Sequence, residues 1–337
     1  MHQATPRRLA VLGAGSWGTA LAMLLARNGH RVQLWDRDAA HIRALRDQGC
    51  NQRHLPGIPL PEGISPEPDF DSAARDCDHI LVAVPSGGFR ETLERLRQTG
   101  PVPLRLIWAS KGLEPGSGRF LHQVVAEALP DAQPHAALSG PSFAVEVARG
   151  LPTAVTVASP DATYAAEAAA LFHGERFRTY TSTDLVGVEL GGAAKNVLAI
   201  AAGISDGMGY GANARAALIT RGLSEIMRLG TRLGGQPETF MGLAGVGDLV
   251  LTCTDDLSRN RRLGLALGRG ESIESASARI GQAIEGKETA RELDALAREL
   301  GVEMPITAQV KAVLCDGVSP ANAVRALLTR DARPEPQ

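Results

Sequence analysis

A short apolar run, Leu9 to Leu12, enters the turn Gly13-Ala14-Gly15-Ser16-Trp17-Gly18, and a helical pattern from Ala20 to Ala26 follows at once. A strand, a G-x-G-x-x-G turn and a helix in succession leave a chain few ways to fold. Gly13 permits the tight turn, Gly15 lets a pyrophosphate approach the backbone, and Gly18 lets the helix pack closely on the strand. The N–H groups that open the helix are then free for the diphosphate of a dinucleotide. A second strand, Arg31 to Trp35, ends at Asp36, where a ribose-binding carboxylate belongs. At this point a glycine-rich turn with only a packing role is the alternative.

Alternation of strands and helices continues to Thr181. A helix over 38–47 puts Ile42 and Leu45 inward, and 50–68, with five prolines, reads as loop. A short polar helix, Asp71 to Arg75, precedes the apolar strand His79 to Val84, closed by Pro85-Ser86-Gly87. The amphipathic helix Phe89 to Arg97 leads to the strand Leu104 to Ala109, which ends at Ser110-Lys111-Gly112. After the helix Phe120 to Leu129, Ala136 to Leu138 runs into Ser139-Gly140-Pro141-Ser142. Two further strands, Ala154 to Ala158 and Arg176 to Tyr180, enclose the helix Ala162 to Leu171. Uninterrupted apolar strands of this kind are covered on both faces, so the expectation is α/β: a Rossmann-like, doubly wound parallel sheet. From Leu185 the period becomes helical, with helices expected at 184–205, 211–233, 237–242, 246–254, 259–268, 271–278, 286–298, 305–314 and 318–327. The expected division is a dinucleotide-binding domain over 1–184, an all-α domain over 185–330, and a frayed tail over 331–337.

Composition narrows the functional classes. With a formal net charge of −2 and no basic block interleaved with aromatics, a nucleic-acid surface is not expected. Cys50, Cys77, Cys253 and Cys315 are scattered without a CxxC, which argues against a zinc knuckle or a disulfide scaffold and fits a reduced, cytoplasmic setting. Metal ligands at useful spacing are absent, and Met1 to Arg8 has no secretory apolar run. The most apolar later segment, Val197 to Ile204, is too short to span a bilayer, so stable membrane insertion is not expected.

In open α/β sheets ligands bind beyond the carboxyl ends of the strands. Ser16, Asp36, Ser86, Lys111 and Ser142 all follow strands, so all can face one crevice. Hydride transfer at a carbonyl also needs a proton donor or acceptor. The last histidine is His173, which leaves the helical half with none, and His79 and His135 fall at the wrong ends of their strands. Lys195 sits in Gly191-Gly192-Ala193-Ala194-Lys195-Asn196, inside an otherwise uncharged helical run. Among small apolar residues a lysine loses pKa by desolvation, the alternative being a snorkelling surface lysine. Lys111 taken alone is divided between crevice and surface, and Asp248 either caps a helix or reaches the site. Ser258-Arg259-Asn260 offers several donors at a helix start, suited to a phosphate; the bland alternative is an N-cap Ser258 beside a solvated arginine cluster.

Taken together, Gly13 to Thr19, Val84-Pro85-Ser86, Ser110-Lys111-Gly112, Leu138 to Ala144, Glu189 to Asn196, Gly245 to Leu249, Ser258-Arg259-Asn260 and Glu285-Gly286 resemble the bacterial NAD(P)-dependent glycerol-3-phosphate dehydrogenases over essentially the whole chain. The resemblance implies cytoplasmic interconversion of dihydroxyacetone phosphate and sn-glycerol 3-phosphate for phospholipid synthesis, by a homodimer. It implies Lys195 as catalytic acid/base. It implies Lys111, Gly140, Ser142, Asp248, Ser258, Arg259 and Asn260 around the substrate. Gly13, Gly15, Ser16, Trp17, Gly18, Asp36, Arg37, Lys111, Ala144, Arg259 and Glu285 fall to the cofactor, NAD or NADP. Asp36 favours the 2′-hydroxyl of NAD and Arg37 the 2′-phosphate of NADP, so the pair does not rank the two. Rival readings are a 3-hydroxyacid or ketopantoate reductase of similar build, and a dinucleotide sensor that binds without turnover.

Overall fold

The structure is a computed structural model that describes residues 5–99, 103–129, 134–281 and 284–330, so the expected tail at 331–337 lies outside the described residues. Eight strands form one sheet: β1 Arg8–Leu12, β2 Arg31–Trp35, β3 Ile64–Pro66, β4 His79–Val82, β5 Leu106–Trp108, β6 His135–Ser139, β7 Thr153–Ala158 and β8 Phe177–Ser182. Their order is β3-β2-β1-β4-β5-β6-β7-β8, and its first part is the reversal at β1 and β4 that opens a nucleotide crevice. Leu12 of β1 pairs with Trp35 of β2 on one side and Val82 of β4 on the other, so these three strands end level.

Side chains alternate across the sheet. Leu9, Val11, Leu34 and Leu81 pack under the helix Ser16–Arg27 in one core, and Ala10, Leu12, Ile80 and Trp108 pack under Phe89–Thr99 and Leu121–Ala128 in another. Burial on both faces is why these strands read as unbroken apolar runs.

Two expectations about the sheet need correction. The stretch 50–68 is not all loop: Ile64–Pro66 forms edge strand β3, and Cys50 bridges Pro59. Nor is the sheet wholly parallel, since β6 and β7 run antiparallel. The link between them contains only the short helix Ala144–Ala148. A parallel return takes a crossover, usually a full helix laid along the sheet, and this link supplies only five helical residues. The chain therefore turns back at the crevice end.

Everything beyond β8 among the described residues is helical. At its centre lies the helix Leu185–Gly207, buried from Gly187 to Ser205. It corrects the bilayer argument: the apolar segment belongs to a helix of 23 residues, long and apolar enough to cross a membrane, but 94% of that window is buried inside the protein. The helix Arg259–Gly268 crosses it at backbone contact. A Cβ on Gly203 would lie 2.2 Å from the Arg261 carbonyl, and one on Gly264 2.2 Å from the Ile200 carbonyl. The expected helix at 246–254 begins instead as a π-helical turn, Leu243–Gly247, before Asp248–Thr254.

The two halves interlock. Leu113 and Phe120, which flank a glycine-rich strap after β5, are buried in the core of the helical half beside Leu190 and Ala290. Gly116 N donates to Glu292 Oε1 of that half at 3.0 Å.

Candidate active site

The glycine-rich turn fits a dinucleotide diphosphate. Gly13 has φ +116°, and a Cβ there would strike the Ala83 backbone at 2.8 Å, whereas one on Gly15 would meet nothing within 4 Å. Gly15 caps the helix Ser16–Arg27 without a side-chain bond, which leaves the opening N–H groups available to an anion. Trp17 Nε1 is buried without a partner. A Cβ on Gly18 would lie 1.9 Å from the Gly13 carbonyl, the close packing expected of it.

Two residues of the proline-rich stretch also hold this turn, and neither was expected to. Asn51 Nδ2 donates to Ala14 O at 2.9 Å and to Thr19 Oγ1 at 2.8 Å. His54 O accepts from Ser16 Oγ at 2.9 Å. Both lie in the proline-rich stretch, where nothing in the residue spacing distinguishes a side chain that supports the turn. Asp36 stands at the end of β2, but its carboxylate already accepts from Ala14 N at 2.9 Å and Asp38 N at 3.1 Å. Arg37 beside it is exposed.

Across the crevice the charged residues converge. Asp248 is fully buried. Its Oδ1 takes Lys195 Nζ at 2.5 Å and its Oδ2 takes Lys111 Nζ at 2.7 Å. The side chain does not cap its helix, whose N-cap is Gly247, but bridges two lysines from opposite halves. Lys111 Nζ also donates to Gly140 O at 3.2 Å, and Ser142 Oγ donates to the same carbonyl at 2.9 Å. Lys195 is buried, not snorkelling. Desolvation by burial lowers its pKa to about 8; Asp248 works against that, and the Lys111 charge adds to it. For Asp248, burial pushes the carboxyl up, but Lys111 and Lys195 outweigh it and hold it below its usual range.

Ser258 does cap the helix Arg259–Gly268, accepting from Arg261 N at 3.2 Å. The arginine cluster is not simply solvated: Arg261 is buried against Asp206 at 2.6 Å and Asp256 at 2.9 Å. Asn260 Nδ2 donates to Asn196 Oδ1 at 3.0 Å, and its Oδ1 accepts from Gly286 N at 3.1 Å. This chain fixes the neighbour of Lys195 to the helix that begins at Arg259. The signal for Asn196 was present in the sequence, as a second polar residue in an apolar helix. Glu285 is half-buried one residue before Gly286; burial raises its pKa, and the charges of Arg259, Lys195 and Lys111 oppose the rise. Ala144 opens the short helix that follows Ser142.

A nucleotide crevice facing a helical domain, with a desolvated amine at the seam, defines the class: a two-domain, nicotinamide-dependent dehydrogenase. Sequence comparison agrees and sharpens it. Residues 8–165 match the NAD-dependent glycerol-3-phosphate dehydrogenase N-terminus, and residues 184–325 match its C-terminus. The chain belongs to the NAD-dependent glycerol-3-phosphate dehydrogenase family. A glycerol-3-phosphate dehydrogenase [NAD(P)+] of Thioalkalivibrio sulfidiphilus is 61% identical over 97% of this chain and 98% of its own. One from Halorhodospira halophila is 55% identical over the same shares. The crystal structure of a glycerol-3-phosphate dehydrogenase from Coxiella burnetii superposes with a TM-score of 0.93 at 48% identity, over 96% of this chain and 99% of that one. A ketopantoate reductase from Ralstonia eutropha shares the fold alone, at 17% identity and a TM-score of 0.54.

Proposed function

We infer that this chain interconverts dihydroxyacetone phosphate and sn-glycerol 3-phosphate with NAD(H) or NADP(H), in the cytoplasm, as a homodimer that supplies phospholipid synthesis without binding nucleic acid or entering the membrane. The observation that carries the reading is the buried Lys195–Asp248–Lys111 bridge at the seam of the two halves.

When bound, the reduced nicotinamide supplies the hydride that reaches C2 of the substrate. The protein handles the proton and the charge. Lys195, protonated, gives its proton to the oxygen on C2 and stabilises charge developing there; in reverse, the neutral amine removes the hydroxyl proton. A pKa of about 8 keeps both forms within reach near neutrality. Asp248 holds the amine in place, and Lys111 reduces its basicity. Arg259 and the donors at the start of its helix clamp the phosphate, assisted by Ser142 and the Gly140 turn. Gly13 to Gly18 would hold the dinucleotide diphosphate, with Ser16, Trp17, Ala144 and Glu285 around the rest of the cofactor. The Asp36 carboxylate accepts one backbone bond on each oxygen and keeps acceptor capacity for a ribose hydroxyl, while Arg37 is exposed beside it to meet a 2′-phosphate, which supports use of NADP as well as NAD.

Turnover of dihydroxyacetone phosphate by the wild type, and its loss in Lys195→Ala, test this. The variant is expected to lower kcat by about 10²–10⁴-fold with cofactor binding nearly kept. Near-normal kcat would remove Lys195 from the proton transfer. Turnover of unphosphorylated keto acids instead would move the protein to the related reductases, and cofactor binding without any turnover would make it a sensor.

A further inference from the structure

We propose that Glu189 is a positioning residue for this reaction: its carboxylate fixes the roll of the central helix Leu185–Gly207 against the sheet and so sets where the Lys195 amine points. The proposal rests on the reading above.

Glu189 is buried, and its hydrogen bonds cross to the other half of the molecule. Oε1 accepts from Trp108 Nε1 at 3.1 Å and from His122 N at 3.2 Å, and Oε2 accepts from His122 Nδ1. Trp108 ends β5, three residues before Lys111, and His122 lies in the first turn of Leu121–Ala128. One carboxylate thus ties the helix to the strand that delivers Lys111 and to a helix N-terminus that favours negative charge.

Residues 189, 192 and 195 are three apart and share one side of the helix. Their roles differ along that stripe. At Gly192 a Cβ would lie 2.7 Å from Ser139 Oγ and 3.7 Å from the Lys111 stem, so the helix lies hard against the ends of β5 and β6. A small cavity opens at the same place, bordered by Trp108, Lys111, Ser139, Glu189 and Gly192, and Ser139 Oγ is buried in the seam without a partner. The directional bonds of Glu189 add a fixed orientation to this close contact.

The lever is short and steep. A side-chain tip about 6 Å from a helix axis moves about 1 Å for a roll of about 10°. A misplacement of that size costs on the order of a hundredfold in rate.

The test compares Glu189→Ala with Glu189→Gln in the full chain. The amide oxygen of glutamine still accepts from Trp108 and from the His122 amide, and its NH₂ can donate to the other tautomer of the imidazole. Glu189→Ala is expected to lower kcat by about ten- to a hundredfold, to leave the cofactor KM within about twofold, and to raise the isotope effect with deuterated reduced cofactor. Glu189→Gln is expected to recover most of the rate. Independently of turnover, the ¹⁹F resonance of 5-fluorotryptophan at Trp108, assigned by its loss in Trp108→Phe, should shift in the alanine variant and return toward wild type in the glutamine variant. A wild-type kcat in Glu189→Ala despite a shifted resonance overturns the proposal, as does a glutamine variant as slow as the alanine one. Should the alanine variant fail to fold, His122→Phe, which removes the imidazole tie, replaces it: a kcat about tenfold lower at unchanged cofactor KM supports the role, and an unchanged kcat refutes it. Wild-type turnover, measured alongside, tests the dehydrogenase reading separately.

Discussion

Asp248→Asn isolates the electrostatics of the proposed acid/base. In the wild type three influences act on Lys195: burial and Lys111 lower its pKa, and Asp248 raises it, with a balance at about 8. Asparagine keeps the volume and removes the only one of these that favours the charged amine. An opposite charge in contact is worth ~1–3 pKa units, so the balance should move down by that much. A fall of ~2 units leaves roughly a tenth of the amine protonated at about pH 7. The assay is kcat/KM for dihydroxyacetone phosphate reduction against pH, followed by loss of the reduced-nicotinamide absorbance. Reduction uses the protonated amine, so its rate falls as pH rises through the amine pKa. The limb near 8 should move to lower pH in the variant, and the corresponding rise in the oxidation direction should move the same way. Removing one member of a buried charge cluster costs about 3–5 kcal/mol of stability, so circular dichroism must first establish a temperature at which the variant is folded. A limb that stays near 8, or moves upward, would refute the assignment of that limb to Lys195.

Three further expectations follow from named contacts. Arg259→Ala should mainly raise the KM for the phosphorylated substrate, and an unchanged KM would dismiss the clamp. Gly191→Ala puts a Cβ 2.4 Å from the Ala244 carbonyl, so its melting temperature should fall by the equivalent of about 1–3 kcal/mol; chemical denaturation checks this. Glu225 is buried, accepting from Ile306 N at 2.6 Å and Thr307 N at 3.2 Å, and burial raises its pKa from 4.5 to about 7. The folded state then binds the proton more tightly than the unfolded one. Its contribution is complete below about 4.5 and is lost as pH rises through about 7. Glu225→Gln should flatten the fall in stability across that window relative to wild type, and identical slopes would reject the assignment.

Much of this was readable from residues alone, for physical reasons that differ by region. Covering a strand on both faces leaves an apolar run, so β1, β4 and β5 were visible in Leu9 to Leu12, His79 to Val84 and Leu104 to Ala109, while β2 showed as the short strand Arg31 to Trp35 following the first helix. β3 was hidden because a three-residue edge strand ending in Pro66 has neither length nor period to mark it. The reversal of β7 was hidden because strand direction depends on where the connecting chain goes, which composition does not record. In the site, Lys195 declared itself as a charge in an apolar helix. Asp248 did not, since a carboxylate at a helix start looks the same whether it caps the helix or, as here, bridges two amines. Asn51 and Glu189 act across long sequence separations, and no local pattern announces such partners.

The strap after β5 has a consequence for how this molecule can be taken apart. Leu113 and Phe120 belong by sequence to the nucleotide-binding half but are buried in the core of the other. A sheet half expressed alone would present both side chains to water, and the helical half would be left with two vacancies where they had been. Any chimera that exchanges the helical half must therefore carry residues 112–120 with it, although they lie well before the sheet ends.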